Sequence, residues 1–470
     1  MIEDNTTSRV IEDVRTAARA LPPGSRLPSV RELMARHRAS PVTVQRAIAR
    51  LAQEGLVVPR PGRGTYVAER ATATNDDLPD LSWQAVALGT PRGDGAGLGE
   101  LLELPPPGAI PLSTGYLDPD LQPLAAVGAA LGRAARRAGA WARGPVEGSE
   151  ELRAWFAREA GGGFGAHDMV VCPGGQSALA TAFRALAAPG EPILVEAPTY
   201  LGALAAARAA QLRVVPVPTD AGGVRPALLA EAFERTGARL FYAQPTYANP
   251  HGATLEPARR AAVPDVVATA GAFLVEDDWG RDLAIEGDPP APLAAADRHG
   301  HVVYIRSLSK IAAPGLRVAA VGARGAAGER LRSARIIDDF FVSGPLQEAA
   351  LELVASSAWR SHLRTLRAAL RERRGALATA VQNELPALRL PLTPAGGLHL
   401  WYALPERADD TAIAARAAAG GVTVSPGRRW FATEPPGPHL RLTFAGADPA
   451  RLREGVRRLG AAVPELRQAH

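Results

Sequence analysis

The sequence is poor in the residues that staple or anchor a chain. A single cysteine, Cys172, has no partner for an internal disulfide, which excludes a cross-linked secreted scaffold. No apolar run is long enough and free enough of Pro, Gly and charge to span a bilayer, so no membrane helix is expected. The opening Met1-Ile2-Glu3-Asp4 lacks the basic segment and apolar core of a secretory signal, which predicts a cytoplasmic protein. Lysine is almost missing: of 53 basic residues only Lys310 is not arginine. With 470 residues, 47% of them hydrophobic and 21% charged, the chain is too long for one small module and too apolar for disorder. Two or more domains are expected.

The charge is unevenly placed. Residues 1–70 hold 12 arginines against 7 acids, a balance of +5, which is the whole excess of the chain; the remainder holds 41 of each sign. A basic module beside a neutral body predicts a polyanion partner for that module, and nucleic acid is the common one. Arginine bias by itself reads as coding bias or solubility. A lone lysine asks instead what arginine cannot do, and the answer is that only an amine able to lose its proton can form an imine.

Within residues 1–70, Val10, Ile11, Val14, Ala17, Ala18 and Leu21 fall on one helical stripe and predict a first helix. Ser29-Val30-Arg31-Glu32 is a capping box that opens a second, with Val30, Leu33 and Met34 turned inward. Ser40-Pro41 opens a third, whose buried stripe is Val44, Ala47, Ile48 and Leu51. That leaves Thr43, Gln45, Arg46 and Arg50 outward, a polar first turn suited to base edges and phosphates. Leu56-Val57-Val58 and Thr65-Tyr66-Val67 flank Pro59 to Gly64, a tight hairpin with a basic tip. Three helices and a hairpin make a winged helix-turn-helix; the plain alternative is a small helical domain with a solvated arginine face. Residues Leu21 to Ser29, Arg31-Glu32-Leu33, Thr43-Val44 and Gly62 to Val67 resemble the GntR-family DNA-binding domain. The resemblance implies that Arg31 holds phosphate, that the start of the third helix, with Ser40, Thr43, Gln45 and Arg46, enters the major groove of a double-stranded operator, and that Arg63 and Gly64 touch the minor groove. Pro41 and Val42 stand where many members carry Arg or Ser and Thr, which leaves the operator sequence open.

Periodicity is lost between about Ala68 and Pro107: Ala71 to Asp77 is polar, and Gly89 to Gly99 alternates Gly with small or charged residues. Residues 71–107 therefore read as a tether, with Leu81 to Leu88 able to form a short ordered piece. Beyond it, the apolar runs Met169–Cys172, Ile193–Val195, Val214–Val217, Leu240–Tyr242, Phe273–Val275, Val302–Ile305 and Val318–Val321 alternate with Ala-rich helical stretches. This predicts a mostly parallel α/β sheet covered on both faces, whose ligands bind at the loops after the strand ends.

Those loops carry the suggestive residues. Pro173-Gly174-Gly175-Gln176-Ser177 leads into a helix and suits a phosphate, though read alone it is equally a turn. Tyr200 offers a ring to stack on a flat ligand, or ordinary core. Asn249-Pro250-His251-Gly252 reads alone as a turn. Glu276-Asp277-Asp278-Trp279 ends a buried strand with carboxylates, costly there unless they meet a cation. Arg306-Ser307-Leu308-Ser309-Lys310 follows another strand, with Arg317 close behind.

Taken jointly, a phosphate cradle, a stacking ring, an amide, a carboxylate and a unique lysine are the parts that pyridoxal 5′-phosphate needs. From about Leu112 onward the chain resembles the fold-type I aminotransferases. The resemblance implies Lys310 as the cofactor's internal aldimine lysine and Asp277 on the pyridine nitrogen. It implies Asn249 on the ring hydroxyl, Tyr200 stacked on the ring, and Gly175, Gln176, Ser177, Ser307 or Ser309 and Arg317 around the phosphate. Gly396 to Trp401 and Leu440 to Phe444 match the family's small domain, where Arg441 would grip a substrate carboxylate. The expected layout is a winged helix-turn-helix over 1–70, the tether, a large cofactor-binding α/β domain over 108–345 and a small C-terminal α+β domain over 346–470. No metal site is expected.

One position departs from the pattern. Trp279 stands where these proteins carry Tyr to hydrogen-bond the ring oxygen, and an indole donates but neither accepts nor titrates as a phenol does. Tyr247 and the Asn249 amide are the candidates to compensate. The joined halves resemble the MocR subfamily of regulators: a homodimer that binds DNA and senses a small amine, an amino acid or pyridoxal 5′-phosphate itself through Lys310. Two alternatives stay open, a working aminotransferase with an accessory head and a cofactor-free scaffold.

Overall fold

The computed structural model describes residues 5–60, 62–68, 80–88, 98–99 and 102–468. Met1 to Asp4, Pro61, the polar stretch Ala71 to Asp77 and most of Gly89 to Gly99 lie outside the described residues. The chain forms two compact units, Met1–Thr90 and Pro91–His470.

In the first unit, helix α1 (Asn5–Ala20) packs Val10, Ile11, Val14 and Ala18 into a small core. Leu21, expected on the same stripe, is 38% exposed: the helix stops at Ala20, because Pro22 disfavours helical geometry in the residue before it. Helix α2 (Val30–His37) starts on the expected capping box, with Ser29 Oγ accepting from Glu32 N at 3.3 Å and Glu32 accepting from Ser29 N at 2.6 Å. Helix α3 (Pro41–Gln53) is N-capped by Ser40 and buries Val44, Ala47, Ile48 and Leu51. Strands β1 (Val57–Arg60) and β2 (Gly64–Val67) pair antiparallel. Pro59 and Arg60, expected in the hairpin tip, instead extend the strand, opposite Thr65 and Gly64; Pro59 is exposed at an edge, where a missing N–H costs nothing. Helix α4 (Trp83–Leu88) forms within the span expected to be a tether.

The second unit opens with β3 (Ile110–Pro111) and then α5 (Leu124–Ala134) and α6 (Glu150–Ala160). It is then built around an eight-stranded sheet. Strands β4 (Met169–Cys172), β5 (Pro192–Ala197), β6 (Arg213–Asp220), β7 (Gly223–Val224), β8 (Leu240–Ala243), β9 (Phe273–Asp277), β10 (Val302–Ser307) and β11 (Ala319–Gly322) lie in the order 4-11-10-9-8-5-6-7. Strands β10, β9, β8, β5 and β6 run parallel; β11 is antiparallel to both β10 and β4, and β7 to β6. All four residues of β4, β8 and β11 are buried, as continuous apolar runs covered on both faces must be. Among the covering elements are α7 (Gly175–Leu186), α8 (Leu201–Ala209), α9 (Pro226–Thr236), α10 (Pro257–Thr269) and α11 (Gly325–Asp339).

After α12 (Gly344–Ala355), the 28-residue α13 (Ser357–Glu384) buries Trp359, Leu366, Leu370, Leu377 and Val381, a spacing of seven and four that keeps one face inward. A second sheet joins β12 (His399–Ala403), β15 (His439–Thr443) and β14 (Ser425–Pro426), while β13 (Val422–Thr423) pairs with β3. Helices α14 (Asp410–Ala419) and α15 (Pro449–Ala462) complete this part. Among the described residues, no helix is long and apolar enough to cross a membrane.

Candidate functional site

The parallel strands bring their C-terminal ends together. Asp277 ends β9 and lies in register with Ile305 of β10, the strand whose following turn carries Lys310. Burial pushes the Asp277 carboxyl up to about 6, while Tyr242 Oη at 2.7 Å and Gln244 Nε2 at 2.8 Å donate to the same oxygen and draw it back. Gln244 ties three parts together: its backbone N–H donates to the buried Glu196 and its Oε1 accepts from Asn249 N. Tyr200 is within electrostatic reach of Asp277, Tyr116, Arg441 and Arg317, and burial raises its hydroxyl further.

Lys310 Nζ donates to Gly115 O at 3.0 Å and sits 3.5 Å over the Tyr116 ring. Loss of water around it, with the Arg441 and Arg317 guanidinium groups nearby, lowers its ammonium to about 7, and Asp277 opposes the shift. An amine at that value is neutral in a large fraction at pH 7, which a nucleophile requires.

On the phosphate side, Gly174 has φ +101°, and a Cβ there would come within 2.3 Å of the Arg317 guanidinium. Glycine is therefore needed twice over, for the backbone and for the close approach. Arg317 donates to Pro173 O at 2.8 Å, and Ser307 packs against Gly175 at the N-terminus of α7. The Ser309 hydroxyl and Gln176 Oε1 are buried without a hydrogen-bond partner; Gln176 Nε2 reaches Gly202 O. Ser177 stands in the first turn of the same helix.

Arg441, on β15, is fully buried and meets only uncharged groups: Asn249 Oδ1 and His399 Nε2, each 3.2 Å from Nη1, Ser113 O, and the face of Trp430 at 4.3 Å. Its Nε has no partner, and no carboxylate among the described residues lies within ion-pair distance. Burial lowers this guanidinium to about 9. Trp279 stacks on His399, ring centroids 6.2 Å apart at 18°, with its indole N–H buried and unpaired. Of the two candidates to replace the missing phenol, Asn249 is engaged with Arg441. Tyr247 keeps other company, packing against Gly280 and Gly396 with Arg367, Arg281, Asp278 and Asp288 as its charged neighbours.

Sequence reasoning missed Ser113, Gly115, Tyr116, Tyr242, Gln244 and Trp430, and left His399 without a role. His399 carried a usable signal, a polar residue inside the apolar Leu398–Leu400 run. The others had none, since their partners are remote in the chain.

In the first unit, Arg31, Gln45, Arg46 and Arg63 are exposed, and the three arginines make no ion pair among the described residues. Arg15 and Arg36, by contrast, are held by Glu12, Glu54 and Asp13. Ser40 Oγ accepts from Thr43 N at 3.2 Å and lies 2.9 Å from Thr43 Oγ1, so these two hydroxyls cap the helix. At Gly64 (φ +112°) a Cβ would press on Arg26 at 3.2 Å.

Residues 109–459 match the model of the aminotransferase class I and II family, three quarters of the chain. The chain belongs to that family. Residues 6–67 match the bacterial regulatory proteins of the gntR family. The joined pair is the arrangement of MocR-type regulators, and the cofactor of the aminotransferase half is pyridoxal 5′-phosphate. The chain is similar to the uncharacterized HTH-type transcriptional regulator YdcR of Escherichia coli, 28% identical over 94% of this chain and 95% of that one. It is similar as well to the 2-aminoadipate transaminase of Thermus thermophilus, 32% identical over 82% of this chain and 98% of that one. A crystal structure of LysN, the alpha-aminoadipate aminotransferase of that organism complexed with N-(5'-phosphopyridoxyl)-L-leucine, superposes with a TM-score of 0.74. It is 30% identical, with 82% of this chain and 99% of that one covered.

The residues present fit the cofactor. An orphaned Ser309 hydroxyl, a glycine cradle against Arg317, an acid fed by two donors and a lysine near neutrality answer in turn to a phosphate, a basic ring nitrogen and an aldehyde.

Proposed function

We propose that this protein is a DNA-binding regulator whose body holds pyridoxal 5′-phosphate at Lys310 and responds to a small amine that carries a carboxylate. The observation that carries this reading is the pairing of a near-neutral Lys310 with a buried Arg441 that has no anion of its own. When bound, the cofactor supplies an aldehyde that condenses with primary amines. Lys310 would hold it in place, and Asp277, its carboxyl raised by burial and partly drawn back by Tyr242 and Gln244, would meet the ring nitrogen. Asn249 would serve the ring oxygen and Tyr200 would cover the ring. The N–H groups at Gly175 and Gln176, with Ser177, Ser307, Ser309 and Arg317, would hold the phosphate. Arg441 then receives the ligand carboxylate, orienting the ligand amine toward the lysine side.

In the head, Arg31 and Arg46 neutralise phosphates, Gln45 reads a base edge, Ser40 and Thr43 present the start of α3, and Arg63 and Gly64 bring the wing to the minor groove. The body divides into a large domain over 108–345 and a small one over 346–470. Exposed Ile337 and Phe340, next to Phe341 and near Trp141, form an apolar surface for a second body, so that a homodimer offers two heads to a repeated operator. Such a protein works in the cytoplasm. A ligand changes DNA affinity only by preferring one of two arrangements of the chain.

Hydride trapping followed by mass spectrometry tests the core of this reading: the coenzyme should be found on Lys310, and its absence there overturns it. A promoter fragment from the protein's own gene should then change affinity when an amine displaces the cofactor from Lys310, and should not in Lys310→Ala. A working aminotransferase is the second reading, favoured by the nearly full coverage of the Thermus transaminase. Steady formation of keto acid over many turnovers would establish it.

A further inference from the structure

His399 and Arg441 are diagonal neighbours on one face of the second sheet, since His399 pairs with Thr443 and Arg441 with Trp401. Arginine has donors only, so in the 3.2 Å contact between Arg441 Nη1 and His399 Nε2 the imidazole must accept. The ring proton is thereby placed on Nδ1. That Nδ1 is buried without a hydrogen-bond partner in a residue 4% exposed, and one face of the ring is covered by Trp279.

We propose that His399 is a positioning residue for ligand selectivity: a neutral, Nδ1-protonated imidazole that aims the Arg441 fork at a ligand carboxylate without neutralising it. An aspartate or glutamate at the same place would satisfy the fork and occupy its charge. A neutral acceptor satisfies one N–H and leaves the charge for an incoming anion. Every other partner of Arg441 is uncharged for the same effect: the Asn249 amide, the Ser113 carbonyl and the Trp430 ring. Burial and the nearby Arg441 and Lys310 cations all hold the imidazole far below its ordinary range, which keeps the acceptor available. The unpartnered Nε–H of Arg441 is the donor left for a ligand oxygen.

This inference rests on the proposed capture of amines at the Lys310 site, and its test separates the two. Protein labelled with ¹⁵N-histidine, with the His399 signals identified by their loss in His399→Gln, should show a neutral Nδ1-protonated ring at pH 7. An Nε2-protonated ring or an imidazolium overturns the inference whatever amines do. Affinities for L-leucine and for 3-methylbutylamine, the same side chain without its carboxylate, are then read from the cofactor absorption band. Wild type should prefer leucine, His399→Leu should lose roughly tenfold of that preference, and His399→Gln, whose carbonyl still accepts, should keep it within about threefold. Equal weakening of both ligands in His399→Leu, or undiminished preference, refutes the positioning role. If wild type responds to neither amine, the amine-sensing reading fails while the tautomer measurement still decides whether His399 holds the fork as described.

Discussion

The two units use the same residue type in opposite ways. The head keeps Arg31, Arg46 and Arg63 in water, whereas the body buries Arg306, Arg335 and Arg441 almost completely. A solvated arginine costs little and attracts any polyanion within a Debye length, so its effect is additive and weakened by salt. A buried one is costly unless matched in geometry. Arg306 meets Asp282 at 2.8 Å and Glu159 at 3.0 Å, and Arg335 is held by Asp339; these are matched internally. Arg441 is matched only by neutral groups. Of these three, the one left without an acid is the one beside the lysine; Arg373, 6% exposed, also makes no ion pair among the described residues, so it is the nearness of Arg441 to Lys310 that supports reading it as a ligand group.

Breaking the buried side of the comparison should have the larger effect. Arg441→Leu is expected to weaken L-leucine binding roughly hundredfold while sparing 3-methylbutylamine, read from the cofactor band; equal losses would assign Arg441 to the scaffold. Next in size is a pH effect. Because the Lys310 ammonium is lowered to about 7, its reactive neutral form grows as pH rises through that value. Cofactor capture by the apoprotein should quicken about tenfold between pH 6 and 8 and then level off, whereas an ordinary lysine, near 10.4, would still be climbing. Arg441→Leu removes one of the cations responsible, so it should move that midpoint upward.

The exposed side of the comparison should respond more gently. Arg46→Ala is expected to weaken all duplexes alike and to reduce the slope of log affinity against log salt by about 1, with the cofactor band unchanged. An unchanged slope would take Arg46 off the phosphates. Smallest of all, Ser29→Ala breaks the capping box of α2 and should lower the stability of the head by about 1 kcal/mol, seen in a denaturant titration of its helical signal.

Legibility followed the range of the interactions. Helix starts at Ser29 and Ser40 were readable because a cap involves residues three apart. Seven of the eight strands of the large sheet were readable as apolar runs, since a strand buried on both faces must be apolar throughout; β6 is only partly buried, and the two-residue β7 was too short to show. The local errors had local causes: Leu21 fell off its stripe before a proline, and Pro59 and Arg60 joined a strand edge instead of a turn. Lys310 stood out by rarity alone. The residues that escaped notice, Tyr242, Gln244, Tyr116 and Ser113, act on partners 35, 33, 194 or more and 328 positions away, and no periodicity spans such gaps.

The amino-acid order alone determined the caps, the strand runs, the basic head and the one amine able to carry an aldehyde, since each depends on a residue's own chemistry or its near neighbours. Folding decided how acidic Asp277 is, how basic Lys310 is, which nitrogen of His399 bears the proton and that Arg441 has no acid beside it. Those properties depend on desolvation and on contacts between distant segments, which exist only once the strands have closed around the site.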